Sequence, residues 1–331
     1  MGSARAEGTS GRETSANPSA ISLSVDDDVR RLTEYGFDCS SPEARYVVER
    51  VSMHRLDAYL GIALGNARAT SLVDGKIINH GKPQLKEVHD LITYDRRVQT
   101  IILKYTGVLE SQFRARYARW MSALHGNMAL YDPSLFNRRG KYDAAMSSVA
   151  RELSRQRKRN RSIARAMEED GRVPIGTAVE YLTLGTISKL FDNTADREIV
   201  DGVSRSFSIN SAKARSWMRT IADVRNVCAH FNPYVVRKQI PSTPLPMSGC
   251  EFPSTNPFYI FPMLHRMLGH DAAKSFADRN LDYQARMLDD MTAETVGFAR
   301  LYIGTAIDIN VPRRFVDSSV TTWCGTASRI D

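Results

Sequence analysis

The sequence lacks any long apolar run. Its most apolar stretches, such as Ile101-Ile102-Leu103 and Phe258 to Met263, are broken by charge or proline well short of the ~18 residues that a membrane-spanning helix requires. No membrane partner is therefore expected. Cysteine is scarce: Cys39, Cys228, Cys250 and Cys324 lie far apart with no C-x-x-C spacing, which argues against a disulfide framework or a zinc knuckle and fits a reducing, cytoplasmic setting. Most enzyme signatures are missing too. There is no phosphate loop of the G-x-x-x-x-G-K-[ST] type, no G-x-S-x-G elbow, no H-E-x-x-H pair and no G-x-G-x-x-G after a strand. The seven histidines make no i, i+4 pair on a common helix, and His265 and His270 have no carboxylate on the same face. Neither a metal nor a cofactor is expected. Sustained period-two alternation and internal repeats are also lacking, which disfavours sheet and solenoid architectures.

What remains is an ordinary globular composition, 42% hydrophobic and 25% charged over 331 residues. That length suits one large domain or two modest ones, and folding would bury about three quarters of the unfolded surface. Lys+Arg 45 against Asp+Glu 37 gives +8. The excess favours an anionic partner without separating RNA from DNA or lipid.

Residues 1–23 are rich in Gly, Ser, Thr and Ala, with no large apolar residue between Met1 and Ile21. They read as a disordered tail with no apolar core for a signal peptide. From Ser24 the pattern is helical: a short helix opened by Asp26, Asp27 and Asp28 and stopped at Gly36, then one from about Pro42 to Leu64. Residues 65–82 read as loop. Lys86 to Trp120 is the longest periodic segment, with Val98, Ile102, Tyr105 and Leu109 on one stripe. A basic helix follows from Tyr142 to Glu169, another helix from Pro174 to Phe191, and a third from Ser211 to Phe231. In this last one Trp217, Ile221, Val224, Cys228 and Phe231 form an inward seam. Five prolines make 239–257 an extended connector. A final helical block spans about 258–306, with any strand near 314–323 a minor feature. The expected architecture is all-α: an N-terminal helical extension over 24–92, a helical bundle over 93–312 that contains the connector, and a polar C-terminal tail over 313–331.

One segment carries chemistry: Val224-Arg225-Asn226-Val227-Cys228-Ala229-His230-Phe231-Asn232-Pro233. Arg225 and Asn226 fall at the edge of the seam. His230 lies about 140° around an ideal helix from Arg225, but Asn232-Pro233 places it in a last, loosening turn. There a long arginine side chain can swing toward the imidazole. Helix C-terminal carbonyls favour imidazolium by ~0.3–1 kcal/mol when exposed. A histidine beside a guanidinium and a carboxamide suits phosphodiester cleavage without metal. An RNA 2′-OH attacks its own phosphate, His230 moves the proton, Arg225 clamps the non-bridging oxygens and Asn226 orients. Only RNA carries the 2′-OH, so the mechanism would select its substrate. On spacing alone the bland alternative, a capped helix end with a surface ion pair, is favoured.

Arg225-Asn226-Val227-Cys228-Ala229-His230 resembles the R-N-x-x-x-H form of the motif of HEPN-domain ribonucleases. More narrowly, it resembles the RN-x-CAH segment of the Abi-like abortive-infection family of the AbiD/AbiF type. Other blocks agree in order. Tyr94-Asp95-Arg96-Arg97-Val98 resembles the family's opening of a long helix, and Glu180 to Leu190 resembles its E-x-L-S-F-G-x-L-S-x-L block. Tyr131-Asp132-Pro133 and Trp217-Met218-Arg219 also fit, and Val48 to Gly61 is similar in a degraded form. The resemblance runs from about 27 to 305. It implies an all-α HEPN-like bundle, a homodimer in which two Arg/His motifs meet across a cleft, and metal-independent RNA cleavage. The implied setting is phage defence or toxin–antitoxin-like growth arrest, in some relatives restrained by a small non-coding RNA. Two departures stand out: Phe231-Asn232-Pro233 comes after the motif where relatives continue with a second His or Asn and a Trp, and Ser52, Met53 and His54 replace glycine and tyrosines.

The remaining candidates have two readings each. Arg151, Arg155, Arg157, Lys158, Arg159, Arg161 and Arg165 either grip an RNA backbone, with strong salt dependence, or form a solvated helix face. Asp95 and Arg96 read mainly as a structural helix-start pair. Tyr94 and Tyr234 could stack on a base, with core or rim packing favoured. Trp217 is assigned to the core, and His54 and His125 to surface or packing roles. The alternative function is a non-catalytic RNA-binding module or scaffold on the same fold. A DNA-binding regulator has less support, since no helix-turn-helix pattern is present.

Overall fold

The computed structural model describes residues 24–68, 70–73, 76–79, 82–248, 250 and 253–274. The N-terminal tail, the last part of the final helical block, the strand near 314–323 and the polar C-terminal tail lie outside these residues. The chain forms two compact units, split between Leu91 and Ile92.

In the first unit, three aspartates in the opening turn of α1 (Val25–Glu34) suit the partial positive charge of exposed N–H groups. The helix stops at Gly36, whose φ of +108° is rarely open to a residue with a Cβ. The single helix expected from Pro42 to Leu64 is instead two, α2 (Pro42–Arg50) and α3 (Met53–Arg68). Val51 is extended, and the Ser52 carbonyl starts a new helix by accepting from Arg55 and Leu56. The expected loop at 65–82 contains an antiparallel hairpin, β1 (Thr70–Val73) with β2 (Lys76–Asn79), in the register Thr70↔Asn79 to Val73↔Lys76. The sequence between the strands is Asp74-Gly75, a strong short-range hairpin signal that outweighs the glycine-rich composition.

The 41-residue α4 (Leu85–His125) crosses from one unit into the next. In the second unit its stripe of Val98, Ile102, Tyr105 and Leu109 is buried, and Phe113, Tyr117 and Met121 extend it. Phe113 meets Phe191 edge-on with ring centroids 5.2 Å apart, and Tyr117 donates or accepts at Thr194 Oγ1 over 3.0 Å. The basic helix is not continuous. It divides into α5 (Arg139–Arg157) and α6 (Arg161–Glu169) because Asn160 caps the second piece, its Oδ1 accepting from the N–H groups of Ser162 and Ile163. The next expected helix divides likewise into α7 (Ile175–Tyr181) and α8 (Leu184–Asn193), since the Thr183 hydroxyl accepts from the Thr186 N–H. Short capping side chains offer the backbone a local partner, and that overrides an unbroken apolar period. The chain continues through α9 (Arg197–Ser206), α10 (Ser211–Ala229) and α11 (Ile260–Lys274).

Helix α8 lies antiparallel to α10. The Arg215 guanidinium near the start of α10 donates to the carbonyls of Phe191, Asp192 and Thr194 at the end of α8. At the other end, a Cβ on Gly185 would stand 4.0 Å from Asn226 Nδ2. Helix α5 is antiparallel to α8 on its other side. Lys141 reaches Asp192 over 3.2 Å, and Glu152 accepts from the Thr183 N–H at 2.7 Å and the Thr186 hydroxyl at 2.9 Å. The C-terminal ends of α5 and α10 therefore share one end of the unit.

The proline-rich connector is a strap held on α10. Trp217 Nε1–H donates to the Leu245 carbonyl at 2.7 Å, the Thr220 hydroxyl to the Ser242 carbonyl at 2.9 Å, and the Leu245 N–H to Ser216 Oγ at 2.9 Å. Trp217 is buried. Among the described residues the fold is all-α apart from the hairpin, and no helix is long and apolar enough to cross a membrane.

Gly202 of α9 packs against the indole of Trp120 on α4, where an added Cβ would overlap the ring. Gly202→Ala is expected to destabilise the chain by about 1–3 kcal/mol through overpacking, measured as a lower midpoint in urea unfolding.

Candidate active site

The motif sits where α10 ends. Two bonds close the helix as a Schellman motif: the Phe231 N–H donates to the Cys228 carbonyl at 3.0 Å and the Asn232 N–H to the Val227 carbonyl at 3.0 Å. This geometry needs a left-handed residue after the cap, and Phe231 supplies it with a φ of +50°. Its side chain is consequently 48% exposed. The apolar spacing carries the inward seam on to Phe231; the structure keeps it for Trp217, Ile221, Val224 and Cys228 and ends it there. The helical period does not extend through a left-handed turn.

The turn after the cap is pinned to α4. The Asp95 carboxylate, fully buried, accepts from the N–H of Tyr234 at 2.8 Å with one oxygen and from that of Val235 at 3.1 Å with the other. One turn on, Gln99 Nε2 donates to the Asn232 carbonyl at 2.9 Å. A buried carboxylate is tolerated because its oxygens are satisfied by backbone donors. Asp95 is thus a structural anchor in the interior of α4, ten residues past the helix start at Leu85, and not a helix-start residue. Arg96 beside it faces solvent. Tyr94 and Tyr234 are buried, and the Tyr234 hydroxyl donates to the Pro257 carbonyl at 2.6 Å. Neither ring is available to stack on a base. Burial, reinforced by Asp95, pushes the Cys228 thiol up and keeps it protonated; burial, with the Asp95 charge nearby, does the same to the Tyr234 phenol.

His230 is the exposed cap residue, and Asn226 is exposed one turn before it. With Arg219 they fall within about 40° of one another around α10, forming a polar row on the side facing α8. Arg225 lies on another side of the helix. Its Nε is 3.6 Å from the Glu110 carboxylate of α4, and its Nη1 is 3.5 Å from Asn226 Oδ1. The expected swing toward the imidazole is therefore replaced by a hold on Glu110, which is 10% exposed against 34% for Arg225. Glu110 also binds Arg114, which in turn donates to the Val179 carbonyl. Two guanidinium groups thus share one carboxylate.

Arg151, Arg155, Arg157, Lys158, Arg159, Arg161 and Arg165 are all exposed. They run along the last turns of α5, the Asn160 break and α6, at the same end as His230. Arg157 pairs with Glu168 at 3.4 Å and Arg165 with Glu169 at 2.6 Å. His54 is exposed, and His125 pairs with Asp196 at 2.7 Å. Among the described residues no three His, Cys, Asp or Glu side chains are grouped to hold a metal ion. Sequence reasoning does not find Glu110, Arg114 or Gln99 as neighbours of the site. The available signal is slight: polar residues bordering the α4 stripe beside Leu109 and Phe113.

A family model described as Abi-like protein matches residues 46–234, more than half of the chain, including all of α10 and the turn after it as far as Tyr234. No curated protein and no solved structure matches the chain.

Two outcomes are expected from this geometry. Asp95→Ala leaves two buried N–H groups without an acceptor and should lower the unfolding free energy by about 3 kcal/mol, read by chemical denaturation. Phe231→Gly removes a left-handed non-glycine residue and should raise stability by about 1 kcal/mol, read as a higher thermal midpoint.

Proposed function

The chain belongs to the Abi-like protein family, and from that premise we propose that it is a HEPN-type endoribonuclease of abortive infection, halting growth when a phage attacks. His230 is the acid/base, Arg225 the phosphate clamp and Asn226 the orienting amide. The 2′-OH of single-stranded RNA attacks the adjacent phosphorus as His230 takes its proton. The P–O5′ bond breaks, a proton returns to the leaving oxygen, and the products carry a cyclic phosphate and a 5′-OH. The protein works as a homodimer, in which Arg225 of one copy and His230 of the other face the same phosphate.

The observation that carries this reading is the exposed His230 on a helix end that Asp95 and Gln99 hold in place. Preorganised groups on a rigid element are what transition-state stabilisation requires. Arg225 supports it as well. Of the five donors of a guanidinium, Nε is turned to Glu110 and one Nη to Asn226. One carboxylate between Arg114 and Arg225 leaves a net positive charge for a phosphate to meet.

A second reading, a non-catalytic RNA-binding module, is favoured by one observation: within a single copy Arg225 is paired with Glu110 and lies about 140° around the axis from His230. Expression of the wild-type chain is expected to arrest growth, and the purified protein to cut single-stranded RNA in the presence of EDTA. Arg225→Ala and His230→Ala should each abolish both effects, a loss of at least about a hundredfold in rate, while circular dichroism stays unchanged. RNA binding without cleavage by the wild type would instead establish the module. Cleavage that survives both substitutions and vanishes with EDTA would place the chemistry elsewhere.

A further inference from the structure

A cavity of about 350 Å³ opens between α5, α8 and α10, lined by Lys141, Ser148, Thr186, Lys189, Asp192 and Arg219. Three cations surround it against one carboxylate, and that carboxylate is already engaged by Lys141 at 3.2 Å. Lys189 and Arg219 are exposed and make no ion pair with a described residue. Between Lys141 and Ser148 the wall contributed by α5 is Ala144 and Ala145, so no bulky side chain there stands in front of the cations. Among the described residues no aromatic ring lines the cavity, so base stacking is not the source of recognition there. Such a site selects for phosphate charge and not for base identity.

The position of the cavity identifies the source of that phosphate. Arg219 lies on the same row of α10 as Asn226 and His230, eleven residues or ~16 Å before the histidine. Gly185, one turn before Lys189 on α8, has no side chain to close the valley beside Asn226. The seam between α8 and α10 leads from Asn226 back to Arg219 at the cavity, past Asp223, whose carboxylate is already engaged by the Ser242 hydroxyl of the strap. We infer that Lys141, Lys189 and Arg219 form a distal phosphate subsite, which holds the backbone of the RNA strand a few nucleotides from the linkage at His230. This rests on the ribonuclease reading. It also gives a role to two segments singled out in the sequence, Glu180 to Leu190 and Trp217 to Arg219.

The test uses the full chain carrying His230→Ala, so that RNA is bound and not cut, and fluorescence anisotropy with labelled single strands of about three and about twelve nucleotides, the longer able to span the ~16 Å. Adding Lys189→Ala and Arg219→Ala should weaken the long strand about tenfold and flatten its log–log salt dependence by about 0.7 for each phosphate no longer held. The short strand should be unaffected. Lys189→Arg with Arg219→Lys should restore the long strand, which a purely structural defect would not allow. Equal weakening of both strands, or no change in either, overturns the subsite. Loss of inorganic phosphate binding with unchanged RNA affinity also overturns it, and would mark a site for free phosphate. The subsite stands separately from the chemistry: a wild-type chain that fails to cleave, while the long strand still depends on Lys189 and Arg219, sinks the ribonuclease reading alone.

Discussion

The buried carboxylate of Asp95 is the constraint on which the rest of the second unit depends. It takes the first two free amides after Pro233 and so decides where the chain goes once α10 has ended. From that one group the path leads outward in both directions. Backward, it fixes the turn that carries Asn232 and closes the helix beneath His230. Forward, it seats Tyr234, whose hydroxyl ties the turn to Pro257, three residues before the last described helix begins. The same pocket raises the thiol of Cys228 and the phenol of Tyr234. It accommodates one negative charge and keeps its neighbours neutral.

Helix α10 has two faces with opposite work. On the first, Ser216, Trp217 and Thr220 hold the proline-rich strap through hydrogen bonds to its backbone. These give an otherwise irregular segment partners for groups that could not be left bare in the interior. On the second, Arg219, Asn226 and His230 stand in a row beside the small side of α8. A helix gripped from behind and capped at its end offers that row little freedom, and catalytic and binding groups benefit from being set on such an element.

Much of this is legible in the residues. The α4 stripe, the seam of α10 as far as Cys228 and the stop at Gly36 all follow from apolar spacing and backbone preference. Two of the helix breaks share one cause. Asn160 and Thr183 each interrupt a helix that the apolar pattern would carry through, because short capping groups compete locally and leave hydrophobic spacing untouched, while the break at Val51-Ser52 is made by extended backbone at Val51. The candidate site is legible as a string, Arg225 to His230, but the groups that surround it are not. Asp95, Gln99 and Glu110 lie more than a hundred residues from the segments they hold. Nothing in the local sequence says which distant carboxylate a given arginine will find. Tyr94 and Tyr234 are open to two readings for the same reason, and burial decides them.

The left-handed backbone at Phe231 also governs what the chain can become there. Valine, isoleucine and threonine crowd Cβ with two heavy atoms, and at positive φ that crowding meets the main chain directly. An aromatic ring is tolerated because its bulk begins one bond further out. Drift at this residue is therefore channelled by the peptide backbone before any ligand has a say. A glycine or asparagine found at the equivalent place in another chain of this shape would report on how a helix terminates, and not on a change of substrate.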